Sequence, residues 1–225
     1  MNPRIAIIAA LPREIAPLVR DWPVHSRSRA EGWTIAENDR AIAVCAGMGQ
    51  ERAARAMELA EARGPLCSIL SVGYAGALRA GVSRNSIHWP SVVVNAKTGE
   101  QYACDKGSGT LVTVDHVITL KEKAQVAERW NADLVDMEAA AVACLARMCG
   151  LPFRALRVVS DEAGDVLPEL NRFIDAQGGF RQVAFARNLV LHPWMIPAAV
   201  RLGRGSAQAS RKLSEALRET LERAE

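Results

Sequence analysis

Residues 134–161, LVDMEAAAVACLARMCGLPFRALRVVSD, decide the fold. A short apolar run from Leu134 to Met137 gives way at Glu138 to an alanine-rich stretch of helical period ending at Met148. A second apolar run follows from Ala155 to Ser160. Strand, helix, strand with short connections is the unit that lays strands side by side in an α/β sheet. Both strands end on acid: Asp136 and Glu138 close the first, and Asp161 closes the second. Ligands of open α/β sheets collect beyond the carboxyl ends of the strands, so the same residues point to a site.

The pattern continues outward in both directions. Further strands are expected at Ile5–Ala10, Ala41–Ala46, Cys67–Gly73, Ser91–Asn95 and Leu111–Val114, and further helices at Gln50–Ala62, Lys121–Trp130 and from about Ser206 onward. Several strands are unbroken apolar runs, as expected when helices cover both faces of a largely parallel sheet. The reading is one three-layer α/β/α domain over residues 1–225, its sheet mixed but mostly parallel, with a basic helical tail from 190 to 225. The stretch NAKTGEQYACDKGSG (95–109) reads as a loop or hairpin. DEAGDVLPELNRFIDAQGGF (161–180) reads as an acidic loop.

Composition narrows the function. Of 225 residues 49% are apolar and 24% charged, with a net charge of +3, which suits a soluble cytoplasmic protein and gives no basic stripe for nucleic acid. The five cysteines (45, 67, 104, 144, 149) form no CxxC pair and read as reduced, buried thiols without a metal site. The apolar run Ile5–Leu11 is too short for a secretory signal and reads as a buried first strand. Aromatics are 5% of the chain, so a site must be built from aliphatic walls, backbone groups and a few polar side chains.

Four places carry polar residues just past a strand. Leu11-Pro12-Arg13-Glu14 brings a carboxylate into a helix start, where it also suits the helix dipole. Ala46-Gly47-Met48-Gly49 and Gly73-Tyr74-Ala75-Gly76 read as glycine turns whose backbone N–H groups approach a ligand, although tight turns need glycine for geometry alone. The fourth is the pair Asp136-Met137-Glu138 and Ser160-Asp161, expected on two adjacent strands as an acid/base pair. Glu138 also suits a helix first turn, and Asp161 a helix N-cap.

The motifs IAIIAALPREI, CAGMGQERAA, SVGYAGAL, LVDMEAAAVA and VVSDEAGD, in this order, resemble the purine nucleoside phosphorylase and uridine phosphorylase superfamily over most of the chain. Glu14 is similar to the 5'-methylthioadenosine/S-adenosylhomocysteine nucleosidase branch, and the tail from Ser160 to Arg204 to hopanoid-associated phosphorylases, which release adenine from adenosylhopane. The resemblance implies a nucleoside phosphorylase-like fold and cleavage of the N-glycosidic bond of a purine nucleoside. Asp161, supported by Ser160, is then the acid that protonates N7 of the base. Glu138 holds the ribose 2'- and 3'-hydroxyls, beside Asp136, and Met137 packs on the ribose. Glu14 orients a water for attack at the anomeric carbon. The resemblance implies at least a homodimer, no cofactor, and phosphate as the alternative co-substrate.

Three departures shape the expected substrate. The family's Gly-Ser/Thr-Ala-Gly is Gly73-Tyr74-Ala75-Gly76 here, which puts a phenol where a small hydroxyl stands near the nucleophile. Val117, followed by Ile118, replaces a Phe that stacks on the purine and leaves the base aliphatic contact. The segment 82–111 is shorter than in the nucleosidases and lacks a helix, which opens the side of the 5' substituent and suits a large group there. Arg13, Arg40 and Arg52 are the candidates for a phosphate site. The competing readings are phosphorolysis and a silent nucleoside-binding protein. In the tail, Leu213, Ala216, Leu217 and Leu221 fall at helical spacing among Arg201, Arg204, Arg211, Lys212, Arg218 and Arg223, with Trp194 and Met195 ahead. That face reads either as a helix packed on the domain or as a peripheral membrane contact.

Overall fold

The computed structural model describes residues 2–28, 31–166 and 196–223, with side chains in the last stretch described from 207. In chain order the elements are β1 (Arg4–Ala9), α1 (Pro12–Val19), β2 (Val24–Ser28), β3 (Trp33–Glu37), β4 (Ala41–Cys45), α2 (Gln50–Glu61), β5 (Leu66–Ala77) and β6 (Ile87–His88). There follow β7 (Val92–Asn95), β8 (Gln101–Ala103), β9 (Thr110–Thr113), α3 (Leu120–Trp130), β10 (Leu134–Asp136), α4 (Ala139–Met148), β11 (Phe153–Asp161) and α5 (Ile196–Glu222).

The apolar runs become the middle of one eleven-stranded sheet. β1 lies parallel between β4 and β5, β11 runs parallel to β5, and β9 lies parallel between β7 and β10. Antiparallel pairing is found at the margins, in β2-β3-β4, in the β7–β8 hairpin and where β6 meets β11, and in the two-residue contact of β10 with β5. The sheet is therefore mixed, with its longest pairings parallel.

Helices cover both faces because each presents one apolar stripe. On one face the alanines and Met57 of α2 and the alanines of α4 are buried against Ile8, Val44 and Ile69. Small side chains let those two helices approach the sheet closely. On the other face Ile15 and Leu18 of α1 meet Ala209, Leu213 and Leu217 of α5 over Ile7, Leu70 and Leu156. Fully burying a Leu or Ile contributes about 1.5–3 kcal/mol, so these seams hold the layers together. From residue 207 onward the tail helix thus packs its apolar face on its own domain. Arg218 donates to the Pro17 carbonyl at 2.8 Å. Arg211, Lys212 and Arg218 stay exposed. No helix among the described residues is long and apolar enough to cross a membrane. The expected acidic loop beyond 166, Trp194, Met195 and the side chains of Arg201 and Arg204 lie outside the described residues.

Several expectations are corrected. β5 does not stop at Val72 or Gly73 but runs to Ala77, so Gly73-Tyr74-Ala75-Gly76 is extended strand paired with β11 rather than a turn. The strands carrying Asp136 and Asp161 are not adjacent, since β5 lies between β10 and β11. The β2–β3 hairpin went unread because VHSRS is a largely exposed edge strand without an apolar run. Cys67 and Cys149 are exposed thiols, not buried ones. Of the stretch 95–109, the first part is the turn and second strand of the β7–β8 hairpin and 104–109 are loop, and 82–111 hold no helix.

Candidate active site

The ends of β1, β5, β10 and β11 open into a cavity of about 190 Å³ lined by Glu14, Tyr74, Gly76, Val117, Ile118, Lys123, Met137, Glu138, Ser160 and Asp161, with Arg13 at its wall. Each carboxylate is held differently.

Glu14 is the third residue of α1, and its side chain reaches back over the helix start. Its Oε2 accepts the Ala10 and Leu11 N–H groups at 3.0 and 2.8 Å, and its Oε1 accepts the Tyr74 N–H at 3.4 Å. The dipole role expected from sequence is real, but the carboxylate is also buried in the cavity wall. Burial pushes its pKa above the ordinary carboxylate value, against those backbone bonds and the charges of Arg157 and Arg13. Gly73 makes the placement possible, because a Cβ there would lie 3.1 Å from Glu14 Oε1.

Glu138 caps α4 from outside the helix and turns its side chain across the cavity to accept the Gly49 N–H at 2.8 Å. Gly47 and Gly49 have φ of 111° and 93°, so this turn does need glycine. Its backbone N–H is used by a carboxylate. Burial, with Asp136 close by, pushes Glu138 up to about 8.

Asp161, the last residue of β11, is buried, and no helix follows it for it to cap among residues up to 166. Ser160 Oγ lies 2.6 Å from its Oδ1 and 3.2 Å from the Ala75 carbonyl. Its Oδ2 meets Lys123 Nζ of α3 at 2.5 Å. Gly76 leaves room for this carboxylate, since a Cβ there would fall 2.9 Å from Oδ2.

Asp136 belongs to the floor. Its Oδ2 takes Arg157 Nη2 at 2.6 Å, Arg157 Nε at 3.1 Å and the Ala139 N–H at 2.9 Å, while Oδ1 takes Thr113 Oγ1 at 2.6 Å. Arg157 also donates to the Ser71 and Leu156 carbonyls and to Ser71 Oγ. Asp136 also borders the cavity, from its floor, with its carboxylate buried and engaged by Arg157, Thr113 and the Ala139 N–H.

Tyr74 lines the cavity as well. Its hydroxyl lies 2.8 Å from Ser210 Oγ on α5, and Ser210 in turn donates to the Arg13 carbonyl. The phenol therefore ties β5 to the tail helix, and the residue serves the cavity through its N–H. Val117 and Ile118 form the aliphatic wall, and Met137 lies beside Glu138 at the rim. Of the three arginines considered for phosphate, Arg13 alone lines the cavity. Arg52 donates to the Glu31 carbonyl, and Arg40 sits in a separate hollow with Leu18 and Trp22.

Lys123 and Arg157 escaped the sequence reading, yet both left a signal. Lys123 falls on the same stripe as Val126, Ala127 and Trp130, which pack inward, so a charged residue was assigned to an apolar face. Arg157 stands between Leu156 and Val158 in the middle of a buried strand. A charge in such a place needs a partner.

Comparison with known proteins bears on the fold. The phosphorylase superfamily family model matches residues 96–189, which contain Glu138 and Asp161 but not Glu14. No curated protein matches the chain in sequence. Among solved structures, 5'-methylthioadenosine nucleosidase of Arabidopsis thaliana is similar at 16% identity and a TM-score of 0.73, over 98% of this chain and 95% of that one. An MTAN mutant from Helicobacter pylori with 5'-methylthioadenosine in its active site gives 15% and 0.69, over 97% and 100%. Futalosine hydrolase of Helicobacter pylori gives 16% and 0.66, over 96% and 98%. At these identities the likeness establishes the fold, the nucleoside phosphorylase-like one.

Proposed function

We propose that this chain, whose residues 96–189 match the phosphorylase superfamily model, hydrolyses the N-glycosidic bond of a purine nucleoside, an adenosine bearing a 5' substituent. The observation that carries this reading is the convergence of Glu14, Glu138 and Asp161, from three separate parts of the sheet edge, on one cavity. Asp161 delivers a proton to N7, which makes the purine a neutral leaving group. Glu138 accepts hydrogen bonds from the ribose hydroxyls, and these strengthen as the sugar becomes cationic. Glu14, fixed by three backbone N–H groups, accepts a proton from the attacking water. A carboxylate there favours water over phosphate by simple repulsion.

The test is base release from adenosines that vary at the 5' position, with and without phosphate. Adenine and the free sugar form in phosphate-free buffer if the reading holds, and Asp161→Asn lowers kcat by about 10²–10⁴-fold. Sugar 1-phosphate appearing only when phosphate is added would replace hydrolysis with phosphorolysis. Full activity of the Asp161 variant would remove the acid.

A further inference from the structure

Asp161 and Lys123 are both buried, and their charged atoms lie 2.5 Å apart. Lys123 Nζ makes one other bond, to the Glu162 carbonyl at 2.9 Å. The remaining charged groups around the pair are otherwise engaged. Glu162 accepts the Arg84 N–H, Asp165 pairs with Arg84, and Glu122 is taken by Thr119 and His116. Across the cavity, Glu138 is held by Gly49, Glu14 by its backbone donors and Asp136 by Arg157. Among the described residues Asp161 is thus the carboxylate bonded to Lys123.

This arrangement poses a chemical problem for the cleavage reaction, because an acid paired with an ammonium group holds no proton of its own to give. We propose that Lys123 is the proton source behind Asp161. This rests on the glycosidic-cleavage reading above. The pair stores one proton, on Lys123 between turnovers, and passes it through Asp161 to the leaving purine. The 2.5 Å contact makes the transfer feasible, since a single hydrogen bond joins the proton's donor and its acceptor. Lysine can release that proton, whereas arginine cannot.

The step balances. As the bond between the anomeric carbon and the base breaks, its electron pair stays with the purine, and N7 takes a proton from Asp161, which takes one from Lys123. The product complex then holds a neutral amine beside a carboxylate. Water adds its hydroxyl to the anomeric carbon, and its other proton leaves through Glu14. Solvent protons restore the ammonium when the base departs. Lys123 is accordingly a positioning residue that acts through Asp161.

The pH dependence of kcat, which reports groups in the bound complex, tests this on the wild-type chain, Lys123→Met and Lys123→Arg. The wild-type basic limb is expected at higher pH than that of Lys123→Met, because the proton is drawn from an amine rather than from a carboxylic acid. Lys123→Met leaves Asp161 to carry its own proton. Its limb moves down by about two units, with a loss of about 100-fold at pH 8 and near-native kcat at about pH 5.5. Lys123→Arg keeps the charge but cannot release the proton, so kcat falls by about 100-fold at every pH.

An arginine variant with native kcat and profile overturns the proposal, and so does an equal, pH-independent loss in both variants. If the variants do not fold, the wild-type profile decides alone: a basic limb below about pH 6, the range of an unpaired carboxylic acid, overturns the relay. Any of these results beside an inactive Asp161→Asn leaves the glycosidic reading standing. An active Asp161→Asn, or no base release by the wild-type chain, removes that reading and the relay with it.

Discussion

Asp136 and Asp161 leave the sheet on either side of β5, both buried, each within 2.6 Å of a cation. The floor pair is closed: Asp136 is filled by Arg157, Thr113 and Ala139, and Arg157 is locked by Ser71 and Leu156. The wall pair is more open: its side chains are 3% and 7% exposed against 1% and 0% for the floor pair, and its cation is one that can release a proton. On the proposal above, the same acid at equivalent strand ends serves structure when matched with arginine and chemistry when matched with lysine. Full hydrogen bonding fixes a charge in place. A partly filled pair leaves the charge available to a substrate.

The largest effect sharpens that contrast at the floor. Arg157→Met is expected to destabilise the fold by about 3–5 kcal/mol, because it strands Asp136 and the Ser71 groups without a partner. At about 2–4 °C per kcal/mol for a chain of this size, the midpoint of thermal unfolding drops by about 10 °C. A loss under about 1 kcal/mol would erase the distinction between floor and wall.

Glu138 tests the wall from the opposite side, because it is a cost to the folded state. Its pKa rises from 4.5 to about 8, so the folded chain holds this proton more tightly than the unfolded one. For a carboxyl raised in this direction, stability falls as pH climbs from about 4.5 to about 8 and levels off above, by up to about 5 kcal/mol. Glu138→Gln keeps an acceptor for the Gly49 N–H and cannot ionise. It should flatten that slope, unfold at higher temperature than the native chain at pH 8, and lose about 100-fold in kcat/KM. Denaturant titrations at pH 5 and 8 measure the slope, and a native-like slope in the variant would show that Glu138 is not the cause.

The open carboxylates were legible in sequence because each follows a strand end, and strand ends are marked by apolar runs that stop. Arg157 and Lys123 were less legible because their partners lie 21 and 38 residues away in sequence, and only the folded sheet brings them together. The cue in each case was a charge on an inward position, Arg157 within Leu156–Val158 and Lys123 on the stripe of Val126 and Trp130. The glycines of β5 were misread for a related reason. Gly73-Tyr74-Ala75-Gly76 has the composition of a turn, but its glycines vacate volume for Glu14 and Asp161, which sit far off in sequence. Local chemistry predicts elements; it does not report which neighbour needs the space.

That use of glycine gives a smaller effect confined to the wall. A Cβ at position 76 would lie 2.9 Å from Asp161 Oδ2 and 3.2 Å from Val135 Cγ1, so Gly76→Ala must displace the acid by several tenths of an ångström. Displacement on that scale is expected to cost about 10–100-fold in kcat, with stability changed by about 1 kcal/mol. Kinetics beside thermal unfolding of the same preparation separate the two. Native kcat would mean that the position of Asp161 is not critical.

The smallest effect concerns Tyr74, which borders the cavity yet is tied by its hydroxyl to Ser210. If side chains divide into closed and open sets, the phenol belongs to the closed set, because its polar end is spent on the tail helix. Tyr74→Phe then costs about 1 kcal/mol, the worth of one hydrogen bond, and lowers the unfolding midpoint by about 2–4 °C. The Tyr74 N–H that holds Glu14 survives the substitution, so kcat should stay within about twofold of native. A large fall in kcat with an unchanged midpoint would move the phenol into the open set, since a hydroxyl that mattered only to α5 has no way to slow cleavage without loosening the helix.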